Sequence, residues 1–276
     1  MAIEKINLLS WNIHSTKYGI TKLMEQILGE LVNDHSIDIV ILQEAFGNII
    51  LESLNSGVNE YVEVICPTKV TEQGIKIFLK KNEYEVCNIE KHERNKLFLI
   101  NLKKINKEES FNLAAVHLHS KVGNTDRQQM WKNLKIFQLI KNYEISITKN
   151  NRTILIGDFN CNPFDMNLLD PYLINVKNSK DYINNLINFP KKKNENQDIW
   201  YNPMWNFLGD FDFRKDKNRL IGTYYIHSDN EIPSWNLIDG IILRKDLMES
   251  FSYEESFIIS KSRKINFLKP FTLKNN

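Results

Sequence analysis

Apolar runs in this chain stop at a residue that ionises or hydrogen-bonds, and they do so repeatedly. Leu9-Ser10-Trp11 ends in Asn12, Ile41-Leu42-Gln43 in Glu44, and Ala115-Val116 in His117. Ile156-Gly157 ends in Asp158, with Asn160 two residues on, and the run from Leu237 to Leu243 carries Asp239 inside it. An ionisable group at a buried strand end is expensive to desolvate unless it is paired or bound to a cation. The pattern therefore asks for a fold in which several strand ends converge on one solvated mouth. Carboxylates, amides and an imidazole gathered there suit a hard divalent metal and a phosphate ester.

The remaining text supplies the scaffold. Strands are expected at Ile6–Trp11, Ile37–Leu42, Tyr61–Cys66, Gly74–Leu79, Glu83–Ile89, Lys96–Leu102, Phe111–Val116, Thr153–Ile156 and Leu237–Leu243. Ile20, Leu23, Ile27, Leu28 and Leu31 recur at helical spacing, as do Met130, Leu134, Phe137 and Ile140. Thr125 with Gln128 predicts a capping box at the start of the second helix. The middle strands follow one another without helices between them, which points to antiparallel pairing in mixed sheets rather than a doubly wound parallel sheet. Pro190 to Lys217, with Lys191-Lys192-Lys193, reads as one long surface excursion. There is no internal repeat and no Gly/Ser-rich or Pro-rich linker, so one domain over residues 1–276 is expected.

Composition excludes several classes. Lys+Arg number 36 against Asp+Glu 34, a net charge of +2, which is not the footprint of a strongly basic nucleic-acid binder. No apolar run is long enough for a membrane helix, which needs about 18 residues. Met1 to Trp11 lacks signal-peptide patterning. Cys66, Cys87 and Cys161 are scattered, with no metal spacing and no disulfide framework, so a cytoplasmic protein, monomeric by default, is expected.

The segments LSWN, LQEA, VHLHS, the Arg127-Gln128-Gln129 helix start, GDFN and LIDGIIL, in that order, resemble the endonuclease/exonuclease/phosphatase superfamily. That group includes DNase I-like and exonuclease III-like nucleases, inositol-polyphosphate 5-phosphatases and neutral sphingomyelinases. The resemblance runs from about Ile6 to Leu247. It implies a four-layered α/β sandwich, two mixed β-sheets face to face with helices outside, and metal-assisted attack of water on phosphorus. Glu44 would ligate Mg²⁺ or Mn²⁺ with Asn12 beside it, and Asp158 would activate the water. Asn160 would hold a phosphate oxygen, and His117, with His119 competing, would donate to the phosphate or the leaving oxygen. Asp158 and Asn160, past a strand end, are expected to be solvent-accessible. Gln43 reads equally as support for the site or as strand-end polarity. Trp205 and Trp235 read as packing residues, and His14, His35, His92 and His227 as surface or loop residues.

The family closes with a Ser-Asp-His motif on its last strand, whose histidine the residue matching Asp239 orients. Leu247 to Asn276 holds neither histidine nor aspartate. The expectation is a domain truncated at its C-terminus, lacking the last strand, and hydrolytically weak or inactive. A natural variant with the histidine supplied otherwise competes with that reading. For substrate, nucleic acid cleaved at phosphodiester bonds ranks first. A phospholipid headgroup or inositol phosphate is the alternative, and a non-catalytic binding protein that kept the fold is the third possibility.

Overall fold

The structure, a computed structural model, describes residues 5–14, 22–45, 50–55, 57–67, 74–92, 96–188, 198–208, 220–226 and 234–263. Residues 191–193, His227 and the last thirteen residues, where a closing motif was sought, lie outside them. The N-terminal sheet holds β1 (Leu8–Asn12), β2 (Ile39–Ala45), β3 (Tyr61–Glu63) and β4 (Gly74–Lys80) in the order β1-β2-β4-β3, with α1 (Lys22–Asp34) and α2 (Ile50–Leu54) in the connections. The next strands are β5 (Tyr84–His92), β6 (Leu97–Lys104) and β7 (Ser110–His117). After α3 (Asp126–Asn142) come β8 (Thr153–Asp158), α4 (Met166–Leu169), β9 (Val176–Lys177), α5 (Lys180–Asn188) and β10 (Trp200–Tyr201). A hairpin of β11 (Tyr224–Ile226) and β12 (Ser234–Asn236) precedes β13 (Asp239–Arg244). The second sheet runs β5-β6-β7-β8-β13-β10-β9. Both large sheets mix parallel and antiparallel neighbours: β1 with β2 and β7 with β8 run parallel, while β2 with β4 and β8 with β13 run antiparallel.

Residue alternation sorts three cores. Ile39, Ile41, Ile77, Phe98, Ile100, Leu113, Ala115, Ile154 and Ile156 fill the space between the sheets. Their sequence neighbours face outward, as alternation along a strand requires. Val40, Leu42 and Phe78 pack with Leu28 and Leu31 of α1, and Leu97, Leu99, Ala114 and Leu155 pack with Ile136 and Ile140 of α3. Helices, sheet, sheet and helix thus stack in four layers, as the resemblance implied. The near-continuous apolar text of β2 and β6 is what a strand buried on both faces demands.

The α3 capping box forms as expected: Gln128 N–H donates to Thr125 Oγ1 at 3.2 Å and Thr125 N–H to Gln128 Oε1 at 2.9 Å. One expectation needs correcting. The stretch read as a surface excursion contains β10 and a 3₁₀ turn, Pro203–Phe207, and there Trp200, Tyr201 and Phe207 are buried. β10 wedges between β9 and β13. A strand of two residues leaves no periodicity to read. No helix among the described residues is long and apolar enough to cross a membrane.

Candidate active site

The inner face of the seven-stranded sheet ends in a row of ionisable residues. Phe98, Ala115, Ile156 and Ile241 occupy one level on β6, β7, β8 and β13. Two residues further toward the cleft, on the same face, stand Lys96, His117, Asp158 and Asp239. The pairing is explicit: His117 N–H donates to Lys96 O at 3.0 Å, His117 is in register with Asp158, and Asp158 with Asp239. Such directly opposed side chains sit about 4.5–5.5 Å apart at Cβ and interact.

The facing sheet supplies Asn12 and Glu44. Leu8, Ser10 and Asn12 alternate on one face of β1, so Asn12 ends β1 over the row. On β2, simple alternation would put Glu44 with Leu42, on the helix side. A bulge between Leu42 and Ala45, with Glu44 at φ 51°, re-aims it. Asn12 Nδ2 then donates to Glu44 Oε1 at 3.3 Å and to Asp158 Oδ2 at 2.9 Å, joining the two sheets through one amide. His117 Nε2 lies 3.5 Å from Glu44 Oε1 and 3.8 Å from Asp158 Oδ2. His14 Nδ1 stands 2.9 Å from Glu44 Oε2, and the His14 backbone N–H donates to Asn12 Oδ1.

Loops beyond β7 and β8 are fixed by buried amides. Gln129 Nε2 donates to His119 O at 2.7 Å and to Asn160 O at 3.0 Å. Asn167 Nδ2 donates to Gln129 Oε1, Asn133 Nδ2 to Asn167 Oδ1, and His119 N–H to Asn133 Oδ1. Asn160, at φ 50°, donates its N–H to Asp158 Oδ1 at 2.8 Å and its side-chain amide to Leu118 O at 2.9 Å. Gly157 has φ 138°, and a Cβ there would lie 2.1 Å from Val116 O, so only glycine lets β8 run this close to β7.

Burial first, then the Lys96 ammonium, holds His117 below the ordinary imidazole range, against the pull of Asp158 and Glu44. Burial, with Asp158 adding to it, pushes Asp239 up to about 7, and a hydrogen bond with Thr223 opposes the shift. Among the described residues the Asp239 Oδ1 has no hydrogen-bond partner. A cleft of about 980 Å³ opens from Asn12, Thr223 and Asp239 and runs between the sheets along β1, over Leu9, Ile156 and Ile241.

The structure therefore brings Asn12, Glu44 and Asp158 into one hydrogen-bonded cluster, with His117 within 4 Å of both carboxylates and Asp239 beside Asp158. Asn160 closes the same turn, but part of its amide is taken by Leu118 O. His119 is held there by its backbone. Asp158 differs from expectation: it is 3% exposed, because β8 runs through it rather than ending before it. His14, read as a loop residue, is 78% exposed at its side chain and also reaches Glu44. Lys96, Thr223 and Gln129 were not identified as site residues. The sequence carries no signal for Lys96, since a lysine just before a strand reads the same whether it faces water or a site. Trp235 packs at a tilt against Tyr225, 5.2 Å between ring centres.

No family model and no curated protein matches the sequence. Solved structures do match. An endonuclease/exonuclease/phosphatase family protein from Bacteroides thetaiotaomicron is 11% identical, with a TM-score of 0.53 over 86% of this chain and 82% of that one. A truncated Caenorhabditis elegans TDP2 is 11% identical, with a TM-score of 0.51 over 86% and 83%. D. rerio TDP2 complexed with single-strand DNA product is 16% identical, with a TM-score of 0.50 over 87% and 83%. The chain has the DNase I-like fold of these proteins.

Proposed function

We propose, from a chain with this fold, a metal-dependent phosphoester hydrolase contained in one domain, most simply a nuclease acting on phosphodiester bonds. The observation that carries the reading is the Asn12 amide bridging Glu44 and Asp158, with His117 within 4 Å of both carboxylates. Two carboxylates this close concentrate negative charge at the mouth of an otherwise apolar core, and a cation relieves it. The donors are hard oxygens. Among the described residues no three His, Cys, Asp or Glu are arranged to hold an ion by themselves, so waters would complete the coordination. That donor set suits Mg²⁺ or Mn²⁺, which keep several waters and use one or two carboxylates.

Glu44, with Asn12, would hold the ion. When bound it would place positive charge beside the phosphoryl oxygens. The protein's own groups do the rest. Asp158 Oδ1, fixed by the Asn160 N–H, accepts a proton from the attacking water. His117 Nε2 and the second Asn160 amide hydrogen donate to phosphate oxygens as charge builds on them. Apolar side chains beneath the row keep water from the back of the site. The single-strand DNA product held by the D. rerio structure supports nucleic acid as substrate. The apolar cleft that opens from Asn12 and Asp239 supports a second reading, a phospholipid phosphoester. Three free thiols are in keeping with a reducing, cytoplasmic compartment.

The test is a Mg²⁺-dependent panel of plasmid, single-stranded DNA, RNA, inositol phosphates and sphingomyelin, with Glu44→Gln and Asp158→Asn as controls. Slow cleavage of one substrate is expected, since Leu247 to Asn276 supply no histidine, with a further fall of about 10²-fold or more in each variant. A folded parent inert on the whole panel with Mg²⁺ and Mn²⁺ would refute hydrolysis and leave a binding protein.

A further inference from the structure

We infer that Lys96 is a substrate-binding residue, the protein's own cation for the phosphate group, held at the end of the ionisable row across from Asp239. The inference rests on the phosphoester reading and adds to it a residue that none of the motif segments contains.

Geometry comes first. Lys96 immediately precedes β6, directly opposite His117, whose N–H it accepts at 3.0 Å. Side chains directly opposed on an antiparallel pair share a face. Phe98, two residues on, packs in the core between the sheets, so Lys96 belongs to that inner face. From His117 the same row passes to Asp158 and Asp239. Strands are about 4.8 Å apart, so the Lys96 and Asp158 backbones are separated by only two such steps. A lysine stem spans that distance.

Charge agrees with geometry. Lys96 is half-buried, and burial holds its ammonium below the usual lysine range, while Asp158 and Glu44 pull it back up. Both carboxylates of the proposed site are thus within its electrostatic reach. Yet among the described residues it forms no salt bridge with either, whereas His117 approaches both within 4 Å. Once a cation takes up the charge of Glu44, a partly desolvated ammonium at this end of the row is left to be satisfied by an anion. Partial desolvation also strengthens whatever ion pair it makes. The anion that fits is a phosphate oxygen on the His117 side. A surface lysine would instead point its head to bulk water.

The test measures two things on the full chain: binding of inorganic phosphate by calorimetry in Mg²⁺ buffer, and hydrolysis of bis(p-nitrophenyl) phosphate. The proteins are the parent, Lys96→Met, Lys96→Arg and Asp158→Asn. Lys96→Met is expected to weaken phosphate binding roughly 10- to 100-fold, the range for a charged hydrogen bond. Its loss in hydrolysis should fall mainly on KM, and Lys96→Arg should restore both within about 3-fold. Equal phosphate affinity in Lys96→Met and the parent would overturn the inference while leaving the hydrolase reading intact. Equal losses in Lys96→Arg and Lys96→Met, with unchanged melting, would overturn it as well, since charge would then not be what matters. A parent that binds phosphate through Lys96 but hydrolyses nothing would sustain this inference and refute the catalytic one. Should Lys96→Met not fold, Lys96→Gln takes its place in the same comparison.

Discussion

Asp239 lies in register beside Asp158, and its carboxyl is raised to about 7 by burial and that neighbour. A folded-state value above the unfolded one means that the protonated form fits the fold. The stability contributed is complete below about pH 4 and is lost as pH rises through 7. In metal-free buffer the parent should therefore lose stability between about pH 4 and 7, while Asp239→Asn should not. The gap at pH 8 is at most about 4 kcal/mol, and about 2 kcal/mol is expected with solvent at the cleft's mouth. Melting curves across pH check this, and a constant difference between the two proteins would refute it. Gly157→Ala should cost about 3 kcal/mol or more in denaturant unfolding, since it combines a left-handed backbone with a contact on Val116 O. Glu44, Asp158 and Asp239 were legible because a carboxylate at the end of an apolar run is conspicuous. Lys96 was not, because a lysine before a strand has the same spelling whether it faces water or a site.

Strand text told where the strands run and which ends are polar, but not their register or where pairing is interrupted. The Leu42–Ala45 bulge decides whether Glu44 meets Asn12 or the helix layer, and no residue there announces it. The same limit applies to β9 and β10, too short for any period, although they cover one side of β13. In α3 the capping box was readable from Thr125 and Gln128, whereas Gln129, one residue on, is the one that ties that helix to the site. Gln129→Leu keeps the volume but strips partners from His119 O, Asn160 O and Asn167 Nδ2. It should cost about 3 kcal/mol, since buried polar groups left unpaired are worth about 1–3 kcal/mol each. Hydrolysis of bis(p-nitrophenyl) phosphate should also fall about 10-fold as the Asn160 turn loosens. A stable variant with full activity would show that the turn holds itself.

At the scale of the molecule, mixed sheets flanked by helices were legible from the strand and helix periods, the four layers only through the motif resemblance, and the site only as a set of ends. Asn12, Glu44, His117, Asp158 and Asp239 come from five strands, β1, β2, β7, β8 and β13, in two sheets. The β8–β13 register joins residues about 80 apart, so its loop-closure cost is met late, after local hairpins such as β5–β6 and β6–β7. Inorganic phosphate binding is expected to return only with the slowest refolding phase, while tryptophan fluorescence recovers in part earlier. Stopped-flow refolding with both signals tests it, and phosphate binding ahead of the fluorescence would contradict the order. Because the Asn12 amide is the clasp between sheets, no fragment owns a share of the chemistry. On the proposed hydrolase reading, a nicked or partly melted chain in which the sheets separate would lose the site as a whole rather than keep a weakened or altered activity. Damage to this protein should therefore lower the number of working molecules and leave the specificity of the survivors untouched.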